Sequence, residues 1–263
     1  VQRYERLNAI LELLVEKNTL TVEEIAEAFA VSVATVRRDL DDLAGQQLVT
    51  RTRGGVTSQA VAYDLPLRYK SARQLDEKQR IAVAAAALVP IGSVVGLNGG
   101  TTATAVARAL ATNTDLRVDR AVAQTSLTVV TNAVNIASEL TVRGHLKVVV
   151  VGGVARPQSY ELIGPMTGRM LDDISMDIVV LGVDALSVAD GAAAHHEGEA
   201  EVNALMVQRA RRVVIAADAS KLGNHAFARI CRTADIDVLV TDTAADPEIV
   251  EQFRAAGVEV LVV

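Results

Sequence analysis

Two groups of side chains in this sequence have types and spacings suited to chemistry. The first is Arg37-Arg38, on a stretch (31–43) whose Val33, Val36, Leu40 and Leu43 recur at helical spacing. Such a helix buries that stripe and leaves Ala34, Thr35, Arg37, Arg38 and Asp41 on its other side. Ser32 is a good N-cap, because its hydroxyl can satisfy a backbone N–H of the first turn. Small and basic residues in the N-terminal half of a helix suit contact with base edges in a DNA major groove. An ordinary amphipathic surface helix fits this stretch alone equally well. The second group lies far downstream. In Asn98-Gly-Gly-Thr-Thr102 the glycines let backbone N–H groups approach an anion, the hydroxyls of Thr101 and Thr102 add donors, and a helix start favours negative charge. Lys221, in Asp218-Ala-Ser-Lys221, is the cation a phosphate wants, while Asp184 and Glu199 are acceptors for sugar hydroxyls. Thr131-Asn132 and Gly152-Gly153 supply further polar loops. Singly, each of these groups is better read as a helix cap or turn.

The elements that must position the arginines occupy the first 56 residues. Leu7, Ile10, Leu11 and Leu14 predict a helix over 2–17. Thr21-Val-Glu-Glu24 has the form of a capping box, opening a second helix that buries Val22, Ile25, Ala26 and Phe29. After the 31–43 helix, β-favouring residues run to a Gly54-Gly55 turn, the pattern of a two-stranded wing carrying Arg51 and Arg53. Arg3 and Arg6 add basic groups at the amino end. Three helices and a wing form a winged helix-turn-helix, in which wing and helix start contact phosphates while the third helix reads the groove.

Residues 57–75 contain Pro66, Arg68, Lys70 and Arg73 without a long apolar period, and read as a linker. From residue 76 onward, apolar runs at 93–97, 127–131, 147–151, 178–181, 213–216, 238–241 and 258–262 alternate with helical patterns. That alternation predicts a mostly parallel, Rossmann-like sheet covered on both faces, with ligands at the carboxyl ends of its strands. The glycine loop matches neither a Walker loop nor a dinucleotide fingerprint, so no nucleotide and no cofactor is expected.

Composition narrows the partners. Half of the residues are hydrophobic, but only 3% are aromatic and Trp is absent, which argues against nucleic-acid binding on stacked aromatic platforms. Net charge is −6, and the first 56 residues, with seven basic and nine acidic groups, show no bulk basic footprint. A DNA contact must therefore depend on local placement. The single cysteine, Cys231, fits a reducing compartment and reads as buried filler. The apolar run from 81 is interrupted by Pro90 and by Gly99-Gly100, and the opening residues carry no signal core, so a cytoplasmic protein is expected. His195-His196 has no zinc spacing around it and reads as a polar loop rather than a metal or catalytic site.

The combination Arg6, Ile10, Leu14, Ser32, Thr35-Val-Arg-Arg-Asp-Leu40 and Arg53-Gly-Gly55 resembles the DeoR family of bacterial transcription regulators. Ala30 departs from it, standing where such turns often carry Gly or Asn. The resemblance continues through Gly100-Thr-Thr102, Val130-Thr-Asn132, Gly152-Gly153, Gly182-Val-Asp184, Glu199-Ala-Glu-Val202 and Asp218-Ala-Ser-Lys-Leu-Gly223. It implies an α/β effector domain similar in fold to ribose-5-phosphate isomerase that senses a sugar phosphate. Gly99, Gly100, Thr101 and Thr102 would hold phosphate, Lys221 would be the counter-charge, and Asp184 and Glu199 would lie near the sugar. Residues 111–124 are longer than the family usually has and read as a surface insertion.

The expected organisation is a DNA-binding domain at 1–56, a linker at 57–75 and an effector domain at 76–263. The expected function is a regulator, most often a repressor in such a family, of carbohydrate genes. A single winged module makes few contacts, so a homodimer or homotetramer on paired half-sites of double-stranded DNA is expected, with no membrane partner. The rival reading is a sugar-phosphate isomerase fused to a DNA-binding domain, with Asp184 and Glu199 as acid and base.

Overall fold

The computed structural model describes residues 3–46, 48–58, 67, 74–113 and 126–263. Most of the sequence-expected linker and the insertion expected at 111–124 lie outside the described residues. The chain divides into two compact units, Val1–Lys70 and Ser71–Val263.

The first unit holds three helices, α1 (Arg3–Lys17), α2 (Val22–Ala28) and α3 (Val33–Gly45), and three strands, β1 (Thr19–Thr21), β2 (Val49–Thr52) and β3 (Gly55–Ser58). Leu7, Ile10, Leu14, Ile25, Val36, Leu40 and Leu43 meet in its core. The capping box is formed: the Glu24 N–H donates to Thr21 Oγ1 at 3.1 Å, and the Thr21 N–H donates to Glu24 Oε2 at 2.7 Å. The sheet has one strand more than the expected wing, because β1 pairs antiparallel with β3, which pairs with β2. That third strand explains the glycine pair. Gly54 makes the turn at φ +92°, and a Cβ on Gly55 would overlap the Leu20 carbonyl of β1.

One local expectation changes. Val33 was expected in the buried stripe, but it is the first residue of α3 and stays 37% exposed, a turn ahead of the core contacts that begin at Val36. Asp39, on the same face as Val36 and Leu43, is 2% exposed.

The second unit is built on seven parallel strands: β4 (Val94–Leu97), β5 (Leu127–Thr131), β6 (Leu146–Val150), β9 (Ile178–Leu181), β12 (Val213–Ala216), β14 (Val238–Thr241) and β15 (Glu259–Val262). Their order is β15-β14-β12-β9-β4-β5-β6. Alternate residues of each strand enter opposite layers, as the pleat requires. Ile178, Val180, Val214, Ala216, Val238 and Val240 pack with α4 (Leu75–Ala87), α5 (Thr101–Thr112) and α6 (Val134–Thr141). Val179, Leu181, Val213, Ile215 and Leu239 pack with α7 (Pro165–Asp172), α8 (Glu197–Gln208) and α9 (Pro247–Ala255). Smaller strands complete this second layer: a two-stranded ribbon, β7 (Val154–Ala155) with β8 (Leu162–Ile163), and a three-stranded sheet of β10 (Ala185–Ser187), β11 (Gly191–Ala194) and β13 (Ala228–Cys231). Cys231 is buried within that layer, where loss of solvent pushes its thiol up to about 11. Among the described residues no helix is long and apolar enough to cross a membrane.

The turn between α2 and α3 stores strain. Ala30 has φ +50°, a left-handed conformation that costs an L-residue with a Cβ about 1–2 kcal/mol. Ala30→Gly should therefore raise the stability of the N-terminal unit by up to about 1 kcal/mol, after the greater entropy of unfolded glycine is offset. Urea unfolding measures it; a lower midpoint would show that this turn is not strained.

Candidate functional site

In the first unit, Ser32 caps α3 by accepting the Thr35 N–H at 3.2 Å, and the Ser32 and Thr35 hydroxyls lie 2.9 Å apart. Ala34, Arg37 and Arg38 are exposed on the same helix. Neither arginine has an ion-pair partner among the described residues. Arg53 is exposed at the wing turn. Arg51 differs: its Nε lies 3.4 Å from Asp41 Oδ1, tying the wing to α3. Asp41 thus pairs with the wing and not with Arg37 or Arg38.

Arg3 and Arg6 are engaged by acidic residues of α3. Asp39 points inward from α3, and a buried carboxylate requires a cation. Arg6, itself buried, donates Nε to Asp39 Oδ2 at 2.7 Å, and Arg3 reaches Asp39 at 3.4 Å and Asp42 at 3.0 Å. Thus Arg6 fastens α1 to α3. The partners are 33 residues apart in sequence, which local pattern cannot reveal.

In the second unit the sheet order reverses between β4 and β9. Chains leaving those strands turn to opposite faces, which opens a crevice at their carboxyl ends. Asn98, buried at the end of β4, closes its floor. Its Nδ2 donates to the Gly182 carbonyl and its Oδ1 accepts the Gly182 N–H, both at 2.9 Å. The loop then enters α5 through Gly100 at φ +101°, and no side chain caps this helix start. Thr101 is half-buried and Thr102 buried in its first turn. Thr104, one turn on, donates its hydroxyl to the Gly100 carbonyl at 2.7 Å.

Around this loop the structure gathers groups that sequence reasoning singled out and two that it missed. Thr131 ends β5 with its hydroxyl accepting the Ala133 N–H at 3.0 Å, so it shapes its own turn. Asn132 donates Nδ2 to Glu161 Oε2 at 3.0 Å and to the Leu162 carbonyl at 3.2 Å. Asp184 accepts the His195 N–H at 3.0 Å, and His196 caps α8 by accepting the Gly198 N–H at 3.1 Å. Those histidines are parts of the loop framework. Glu199, buried on α8, pairs with Arg156 Nη1 at 3.2 Å. Lys221 is half-buried on the short turn after β12, outside the hydrogen-bond network just described.

The missed residues are Arg156 and Glu161, on the connection between β6 and α7. Glu161 presses on the glycine loop: a Cβ on Gly99 would stand 2.6 Å from Glu161 Oε1. Loss of solvent, and then repulsion from Glu199, pushes Glu161 up to about 8; Asp184 adds to the rise, while bonds from Asn132 and Gly99 oppose it. The two-residue strands that bring Arg156 and Glu161 inward are too short to leave a periodicity.

Several relatives are known. Residues 6–61 match the DeoR-like helix-turn-helix domain, and residues 73–243 match the DeoR C-terminal sensor domain. The glycerol-3-phosphate regulon repressor of Escherichia coli is 30% identical over 92% of each chain. The HTH-type transcriptional regulator GlpR of Haloferax volcanii is 32% identical over 98% of this chain and 96% of its own. The HTH-type transcriptional repressor GlcR of Bacillus subtilis is 33% identical over 98% and 95%. Among solved structures, ribose 5-phosphate isomerase A of Methanocaldococcus jannaschii aligns over 56% of this chain and 54% of its own, at 20% identity and a TM-score of 0.41.

Two outcomes test this geometry. Arg6→Ala leaves Asp39 buried without its closest cation and should destabilise the N-terminal unit by about 3 kcal/mol, read as a lower urea midpoint. Glu161 titrates near 8 in the fold against an ordinary 4.5, so its contribution is fully present below about 4.5 and is lost as pH rises through about 8. Relative to Glu161→Gln, the wild-type protein should therefore lose thermal stability between pH about 5 and about 8. Parallel melting curves for the two proteins would contradict the buried-acid assignment.

Proposed function

This chain belongs to the DeoR family of transcriptional regulators, and we propose that it represses carbohydrate genes under the control of a phosphorylated sugar bound by its C-terminal unit. The observation that carries the reading is the pairing of an exposed Arg37-Arg38 helix with an uncapped glycine-loop helix start at the sheet's reversal point. Arg37 and Arg38 read base edges in the major groove. Ser32, Ala34 and Thr35 fit the start of that helix against the duplex, and Arg51 and Arg53 meet phosphates from the wing.

In the effector unit, Gly99, Gly100, Thr101 and Thr102 offer N–H and hydroxyl donors to phosphate at the positive end of α5. Lys221 supplies the counter-charge. Asn98 and Thr131 hold the loops in shape, while Asn132, Asp184 and Glu199 address sugar hydroxyls. The name of the glycerol-3-phosphate regulon repressor supports a small phosphorylated effector. Because a ligand shifts an equilibrium only by its differential affinity, the effector-bound and operator-bound conformations must differ at this loop. We assign domains to 1–56 and 76–263 joined by 57–75, and a homodimer or homotetramer in the cytoplasm that places two winged modules on paired half-sites.

Operator duplexes selected from a random pool by the purified protein provide the assay. Arg37→Ala and Arg38→Ala should each weaken binding by about 1–3 kcal/mol where the side chain makes a bidentate base contact, without changing thermal stability. Unchanged affinity in both variants would refute the helix assignment. Thermal-shift screening against phosphorylated hexoses, pentoses and polyols identifies the effector. Lys221→Ala should then keep operator affinity and lose the effector response. Normal effector affinity in that variant would overturn the pocket, and sustained conversion of any screened sugar phosphate would overturn the sensor reading in favour of an isomerase.

A further inference from the structure

Glu161 is a buried carboxyl to which the proposed recognition gives no role, yet it sits against the loop that would receive the anion. Its side chain occupies the space beside Gly99 into which a Cβ cannot be built. A bound phosphate would need donors from that same loop, so the carboxylate and the ligand compete for one set of N–H groups.

The charges around Glu161 sharpen the conflict. Glu199 faces it from α8 and Asp184 from the loop after β9, both repelling an ionised carboxylate. Arg156, the cation on the same connection, is engaged with Glu199 at 3.2 Å. From β5, Asn132 contributes an amide N–H to Glu161. A second observation points to an incomplete site: Asn132 is fully buried, and its Oδ1 has no hydrogen-bond partner among the described residues. Such an orphaned acceptor is costly unless a donor arrives. An effector hydroxyl, or Glu161 itself when protonated and turned, supplies one.

We propose that Glu161, when ionised, is an internal occupant of the effector's anion site beside Gly99, and that it yields the site when protonated or displaced by an anionic effector. Glu161 thereby couples effector binding to proton uptake as pH rises above neutral. This inference rests on the sugar-phosphate reading of the site.

Sulfate and inorganic phosphate are suitable probes, and sulfate keeps its double charge from neutral to alkaline pH. Calorimetric titrations would compare the full-length wild-type protein with Glu161→Gln and Glu161→Ala, the alanine variant covering the case in which the amide disturbs folding. With Glu161 titrating near 8, wild-type sulfate affinity should fall about tenfold between pH about 7 and about 9. In the variants it should change by less than about twofold, and at pH about 9 they should bind about tenfold more tightly than the wild type. Variants that keep the wild-type slope and affinity would overturn the role of Glu161 while leaving the effector site standing. Failure of all three proteins to bind either anion would overturn the effector reading and this inference together.

Discussion

The effector unit depends on the reversal of strand order between β4 and β9, and on the buried amide that holds it there. Parallel strands on either side send their connections to opposite faces, so only at this seam do two neighbouring carboxyl ends part. Left alone, the seam would expose backbone groups of both loops to a dry interior. Asn98 prevents that by donating to and accepting from Gly182, standing in for a rung of sheet where the strands have ended. The loop glycines, the start of α5 and Asp184 all take their positions from that clamp. Glu161, Asn132 and Glu199 then close around it from three further elements.

The N-terminal unit depends on a different kind of buried polar contact. Its helices are too short to be stable by propensity alone and hold together through the Leu, Ile and Val core. Within that core Arg6 and Asp39 form a charged pair that fixes α1 against α3. A well-packed apolar pair would give similar stability, so the pair's value lies in fixing which side of α3 faces inward and which side presents Arg37 and Arg38.

Much of this was legible in the sequence because it rests on repeating patterns. The seven sheet strands and most covering helices follow from apolar runs alternating with helical periods. The capping box at Thr21 and Glu24 follows from a local rule that the coordinates satisfy. What escaped was non-local or non-periodic. Gly191-Ala-Ala-Ala194 is a strand made of residues with little β-preference, held by pairing with β10 and β13. The third strand at Thr19–Thr21 has three residues. The helix Pro165–Asp172 has a glycine within it and only two buried side chains. At the candidate site, the polar strand ends were visible one by one. Glu161 and Arg156 were not, since nothing in a Tyr-Glu-Leu-Ile sequence announces that its glutamate is dry.

The contact between Arg51 and Asp41 carries a consequence for ionic strength. Each phosphate that a protein cation neutralises releases a cation condensed on the duplex, and each release steepens the fall of affinity with salt. Arg51 arrives already partnered by a carboxylate on the reading helix. In the proposed complex it exchanges that exposed and weakly held partner for a phosphate, and so releases a condensed cation like any other phosphate contact. The wing would thus be braced against the third helix in the free protein and passed to the duplex on binding, its two arginines carrying the salt sensitivity while Arg37 and Arg38, on base edges, carry little of it.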